Sequence, residues 1–167
     1  MTFLRLIWKL VFAFAKESGN ETGLATARVR RVLDGDSVIV HMNGQLVELR
    51  LGGIDCPEDG QEWGENAKWG LIKLIGGRTV RVQIHGSDRY ERTIATVYLE
   101  EADGLLNVNE KMVARGHAWV YRHYYRQLSV GQQVELDRLE EWARNRGAGL
   151  WRAPNPKAPW DWRRERQ

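Results

Sequence analysis

The chain has 167 residues, 43% of them apolar and 28% charged. At roughly 100–200 residues per domain this is one globular domain with short additions, which excludes a wholly disordered chain and a polytopic membrane protein. Lys and Arg exceed Asp and Glu by only three charges, too few for a chromatin-like polycation, yet enough for an anionic partner where basic residues cluster.

The first 15 residues, MTFLRLIWKLVFAFA, are the most apolar stretch. Arg5 and Lys9 interrupt it, short of the ~20 residues that a spanning helix needs. A basic start, an apolar run from Leu10 to Phe14 and the Ala13-Phe14-Ala15 triplet fit a short export signal. Thr2, Arg5, Lys9 and Lys16 on one helical face fit a helix lying on a membrane. A helix packed on the body is the third reading. Export (secreted or periplasmic) or membrane association is expected ahead of packing, and a cytoplasmic location stays open. Residues 16–24, KESGNETGL, read as a linker, so residues 1–24 form a segment apart from the body.

Residues 25–33 alternate apolar and polar and predict a strand. Asp34-Gly35-Asp36 predicts a tight turn. Ser37 to Met42 and Gln45 to Leu51 predict two strands joined at Asn43-Gly44, a strong hairpin signal. Ala67, Leu71, Leu74 and Ile75 have helical spacing, ended by Gly76-Gly77. Thr79 to Ile84 and Thr93 to Leu99 predict two more strands. Asn107 is placed to cap a helix running to about Arg115, with Gly116 as its stop. Val130 to Arg146 predicts a third helix, with Leu136, Leu139 and Ala143 on one side and Gly147 after it. Residues 152–167 form a basic tail with Trp160 and Trp162, holding every proline except Pro57. A poorly ordered end is the commoner fate of such a tail; the functional reading is an arm adding phosphate and stacking contacts. The body from 25 to 151 is thus expected to be α+β: a five-stranded barrel of the oligonucleotide-binding (OB) type with about three helices. The eight tryptophans are expected mainly in core and edge packing. The lone cysteine, Cys56, allows no intrachain disulfide and no zinc site needing two or more cysteines.

Polar residues gather at strand ends. In a meander the start of the second strand neighbours the end of the third, so Asp36 approaches Asp55 and Glu58. Carboxylates crowded on one rim repel unless a cation joins them, and hard oxygen ligands suit Ca²⁺ or Mg²⁺. Arg50 shares a strand with Asp55, and Arg92 stands at the entrance of the fifth strand. A cation plus guanidinium forks holds and polarises a phosphate, and Glu58 is placed to take a proton from water. Taken singly, an acidic turn is usually only a turn and Arg50 only a strand residue; the joint arrangement carries the reading.

The motifs V-L-D-G-D-S-V at Val32–Val38 and L-R-L-G-G-I-D-C-P-E at Leu49–Glu58 resemble the staphylococcal (micrococcal) nuclease family, also called thermonuclease-like domains. G-Q-E-W-G-E-N-A at Gly60–Ala67, D-R-Y-E-R at Asp88–Arg92 and G-L-W at Gly149–Trp151 follow in the same order, so the resemblance covers about residues 26–151. It implies a Ca²⁺-dependent phosphodiesterase that cuts DNA and RNA with little sequence preference. It implies Asp36, Asp55 and the Cys56 main-chain carbonyl as calcium ligands, with Asp34 behind them. Glu58 would be the general base, and Arg50 and Arg92 would bind the scissile phosphate. Arg89 and Tyr90 would contact a neighbouring phosphate or base, and Tyr121 would stack on a base. Departures are Ser37 for Thr, Cys56 for Thr, Glu91 for Gly, and acids (Asp59, Glu62, Glu65) in a loop that is basic in the archetype. Nucleic acid is the implied substrate and a monomer the expected state. The rival reading is a barrel of this family that binds nucleic acid without cutting it. A membrane-associated partner protein using residues 1–15 is a third.

Overall fold

The computed structural model describes residues 23–166; the reading of residues 1–15 and most of the proposed linker fall outside them. Strands β1 (Ala25–Val32), β2 (Ser37–Met42) and β3 (Gln45–Leu51) form the antiparallel meander expected from their alternation. Asn43 and Gly44 both take left-handed φ, 51° and 78°, the mirror-image turn whose twist matches that of the strands it joins. A two-residue strand, β4 (Ile54–Asp55), follows, then α1 (Gly64–Ile75). Strands β5 (Thr79–Ser87) and β6 (Thr93–Glu101) pair antiparallel, and β5 returns to β1. Parallel pairing of β3 with β6, Leu49 with Thr93 through Leu51 with Ala95, closes the ring. The barrel is therefore five-stranded, β3-β2-β1-β5-β6, and α+β in class, as expected.

Closure buries one face of every strand. Val38, Val40, Leu49, Leu51, Val80, Val82 and Val97 fill the barrel, and Leu71 and Ile75 of α1 join the same core. The sequence reading missed three short strands, β4 among them. Strand β7 (Gly104–Asn107) extends β6 as a hairpin, and β8 (Trp119–Val120) pairs with β4. Asn107 does cap α2 (Val108–Ala114), its side chain accepting from the Glu110 amide. Helix α3 (Val130–Asn145) starts with a reciprocal cap between Ser129 and Gln132. Residues Gly149–Arg152 form a 3₁₀ turn, and a further helix, α4 (Pro159–Arg164), follows in the tail. The chain from Ala153 onward returns to the barrel instead of trailing from it: Ala158 and Pro159 are buried. Tryptophan packing is concentrated at this corner, where Trp119 meets Trp151 and Trp160 edge-on. Trp69 and Trp142 are instead exposed.

Gly70, in the middle of α1, makes room for His117, whose ring atoms lie within 2.6–3.1 Å of where a Cβ would be. His117 Nδ1 accepts a hydrogen bond from Trp63 Nε1 at 3.1 Å. Burial, with Arg115 and Lys73 adding repulsion, pulls the His117 pKa from 6.5 down to about 4. Between those values the unfolded chain takes up a proton that the folded chain refuses, so stability falls as pH is lowered through that window. The His117 contribution, read as the parent's urea midpoint minus that of His117→Gln, is expected to decline from pH 7 to pH 4. A difference that stays constant with pH would remove His117 as a source of the pH dependence.

Candidate active site

The β2–β3 register places Ser37 opposite Arg50, so Asp36 and Arg50 meet at the end of the barrel where β3 also joins β6. Three local devices set the acids. Asp34 Oδ1 accepts from the Asp36 amide at 2.9 Å, bracing the turn. Gly35 is needed because a Cβ there would lie 2.7 Å from Cys56 Cβ. The Cys56 amide in turn donates to Asp36 Oδ2 at 2.6 Å, which ties the two acidic loops together across 20 residues. Asn109 holds the approach to β4, donating to the carbonyls of Gly52 and Ala95 and accepting from the Val97 amide.

Arg50 is the hub. Its Nη1 donates to the carbonyls of Leu51 and Ile54, both at 2.9 Å. Its Nη2 lies 2.8 Å from Asp55 Oδ1, and its Nε 3.3 Å from Asp36 Oδ1. Asp36 and Asp55 are both buried. Burial, reinforced by Asp34 and Asp55, outweighs Arg50 and pushes the Asp36 carboxyl up to about 8. A buried carboxyl that resists ionising marks a place short of positive charge. Burial likewise pushes the Cys56 thiol well up, so it packs as an inert apolar group.

Glu58 is set by a turn: Gln61 Oε1 accepts from its amide and the Gln61 amide donates to its carbonyl. Its half-exposed carboxylate faces a cleft of about 570 Å³ that also contains Asp34, Asp36, Arg50, Asp55 and Cys56. The same cleft receives Arg89, Tyr90, Arg92 and Tyr121. Every residue named from the sequence for catalysis, metal or substrate thus reaches one cavity. Asp59, Glu62 and Glu65 do not line it.

At the rim, Asp88 Oδ2 holds Arg92 Nε at 2.8 Å, and Asp88 Oδ1 accepts the Arg92 and Tyr90 amides. The exposed Tyr90 ring lies under Arg89 at 4.8 Å and Arg92 at 5.5 Å. Glu91 adopts φ 64°, the left-handed conformation that glycine takes freely and other residues take at a cost of about 1 kcal/mol. Glu91→Gly is therefore expected to relieve strain, remove a carboxylate beside Arg92 and raise kcat/KM several-fold. Steady-state cleavage rates would show it, and a slower variant would overturn it.

Two features lay beyond the sequence reading. The β4–β8 pairing sets Asp55 opposite Trp119, and the Tyr121 amide donates to Gly53 O at 2.8 Å, which is how Tyr121 arrives beside the acids. The buried Glu140 of α3 anchors this stretch, accepting from the Val120 amide at 2.8 Å and from Arg122 at 2.9 Å. From α4, Arg163 enters the cleft and Trp160 stacks on Tyr121 with centroids 5.3 Å apart and planes at 19°. A legible signal did exist for α4: proline at a helix start, followed by Trp160 and Arg163 three residues apart on one face.

Residues 48–153 match the family model described as staphylococcal nuclease homologue. The chain belongs to the staphylococcal nuclease family. Among its relatives in that family, "Micrococcal nuclease" of Shigella flexneri is 40% identical over 141 residues, spanning 81% of this chain and 79% of the relative. "Protein ParB" of Escherichia coli is 39% identical over 142 residues, 82% of this chain and 78% of the relative. An "Uncharacterized endonuclease" of Haemophilus influenzae is 34% identical over 166 residues, 99% of this chain and 84% of the relative.

The family implies a metal ion. Among the described residues, no three acidic, histidine or cysteine side chains form a ready cage. What the site offers is two buried carboxylates sharing Arg50, with the adjoining main chain and water left to complete a shell. That donor set is all hard oxygen, which fits a hard divalent cation.

Proposed function

We propose that this protein is a calcium-dependent nuclease hydrolysing the phosphodiester bonds of DNA, RNA or both with little sequence preference. As a member of the staphylococcal nuclease family it is a hydrolase acting on ester bonds, an endonuclease. The observation that supports the finer reading is the Arg50 hub, one guanidinium joined to Asp36 and Asp55 in a cleft that Glu58 faces.

Asp36, Asp55 and the Cys56 carbonyl would hold the cation, which when bound supplies Lewis-acid polarisation of a phosphoryl oxygen. The cleft is lined by five acidic side chains and five arginines. It is thus formally neutral by itself, and a divalent charge makes it attractive to a phosphodiester. Glu58 accepts the proton of an attacking water, its main chain set by the Gln61 turn. Arg50 and Arg92 present planar forks to the phosphate as charge builds on it. Arg89, Tyr90 and Tyr121 offer stacking and charge to the flanking nucleotide. None of these contacts reads a base edge, in keeping with little sequence preference.

Incubating the full chain with single-stranded DNA and with RNA, in calcium and in excess chelator, tests the reading. Degradation in calcium, abolished by chelator, is the expected result. Binding with no degradation in calcium would instead make the protein a non-catalytic nucleic-acid-binding barrel.

A further inference from the structure

Helix α4 is docked by contacts that do not involve Arg163. Ala158 and Pro159 are buried. Gln61 Nε2 donates to Lys157 O at 2.8 Å, and Trp160 packs on Trp119 and Tyr121. One turn further on, Arg163 projects into the cleft. Its Nη1 and Nη2 lie 3.3 and 2.8 Å from the two Asp55 oxygens, and Nη1 also donates to Glu58. Its side chain is 39% exposed, so it is within reach of whatever enters the cleft.

The donor balance of the site identifies what this guanidinium is for. An arginine carries five N–H groups. Arg50 places four contacts on the protein itself, two carbonyls and two carboxylates, which leaves about one N–H for a substrate. Arg92 has its Nε committed to Asp88. Arg163 spends its fork on Asp55 and Glu58, the two groups that the proposed reaction assigns to the cation and to water.

We propose that Arg163 is a third substrate-binding arginine of this site, exchanging its carboxylate partners for the scissile phosphodiester. The inference rests on the nuclease reading above. The exchange needs only a change of side-chain rotamer. A reading in which α4 is a plug requires the buried Ala158–Pro159 footing, the Gln61 bond and the Trp160 stack all to be undone first. A guanidinium fork that exchanges one planar oxyanion for another keeps its bidentate geometry. The exchange is one of hydrogen bonds and ion pairs, with no covalent bond made or broken by Arg163.

The test compares the full chain with Arg163→Gln and Arg163→Lys. In calcium, Arg163→Gln is expected to lower kcat/KM about 10²-fold, and Arg163→Lys to recover part of the loss. In a Glu58→Gln background, which slows cleavage, the further Arg163→Gln change is expected to weaken binding of a fluorescent octathymidylate about tenfold. The slope of log affinity against log salt should drop by about 0.7, one phosphate contact. Cation affinity, read by terbium luminescence, is expected to stay level or tighten, because a competing charge is gone. Thermal melts confirm folding, and if Arg163→Gln does not fold, Arg163→Lys carries the test with a loss of about tenfold expected. An Arg163→Gln protein that cleaves as fast as the parent, or faster, would overturn the proposal and make α4 a plug. Weaker terbium binding with unchanged salt slope would overturn it in favour of a structural role at the metal site. If the parent itself does not cleave, the nuclease reading fails and this inference with it; an active parent with an unimpaired variant sinks this inference alone.

Discussion

Replacing Arg50 by alanine is expected to cost about 3–5 kcal/mol of stability and at least about 10³-fold in cleavage rate. The stability loss follows from what the side chain leaves behind. Asp36 and Asp55 are 5% and 2% exposed, and the carbonyls of Leu51 and Ile54 each lose a donor. Asp55 keeps its contacts to Arg163, so Asp36 is the acid left without a cation, and an acid stranded in low dielectric is worse than a pair never built. The backbone bond from Cys56 to Asp36 would then link two loops whose carboxylates repel. The activity loss follows because the same group is proposed to face the phosphate. Calcium should return part of the stability, since an ion bound only by the folded site shifts the equilibrium toward it. Arg50→Lys keeps the charge but lacks the fork that reaches two carbonyls and two carboxylates at once; it should sit near the alanine variant in rate and closer to the parent in stability. Urea unfolding with and without calcium, beside cleavage rates, checks each part. A parental urea midpoint in Arg50→Ala would dismiss the hub.

Glu58→Gln is expected to separate rate from stability in the opposite way. The carboxylate is 37% exposed and its Arg163 partner 39%, so the pair contributes at most about 1 kcal/mol to folding. The glutamine keeps the shape and a hydrogen-bonding oxygen, and the Gln61 turn that positions residue 58 uses only its main chain. The proton acceptor is what disappears, and general-base assistance typically supplies about 10²–10⁴-fold. The variant should therefore melt within about 1 kcal/mol of the parent while cutting at least about 10²-fold more slowly. A rate within a few-fold of the parent would take the base role away from Glu58.

Where a side chain's role depends on neighbours within a strand, a turn or one hairpin, it was legible in the amino-acid order. Asn43-Gly44 sets the register that brings Ser37 opposite Arg50, so the convergence of Asp36, Arg50, Asp55 and Glu58 on one rim could be derived before any coordinates. Asn107, Gly116 and the apolar spacings of α1 and α3 were readable for the same reason: caps, left-handed φ and helical periodicity act within a few residues. The positive φ at Glu91 was foreshadowed by the family resemblance, in which glycine stands at that place. Strands β4 and β8 were not readable, because two residues have no periodicity. Nothing in the amino-acid order singles out Glu140, and only the fold shows that it satisfies the Val120 amide.

Arg163 is the sharpest case. It stands 108 residues from Asp55, in a tail whose composition matches a solvated terminus. Its place in the cleft follows from the footing of Trp160 and Pro159 and from the acids Asp55 and Glu58 at the barrel's end. Local order determined the barrel, its acidic rim and the class of chemistry. The tertiary structure alone decided which distant cation meets those acids, because long-range charge pairing and packing leave no periodic trace in a linear chain.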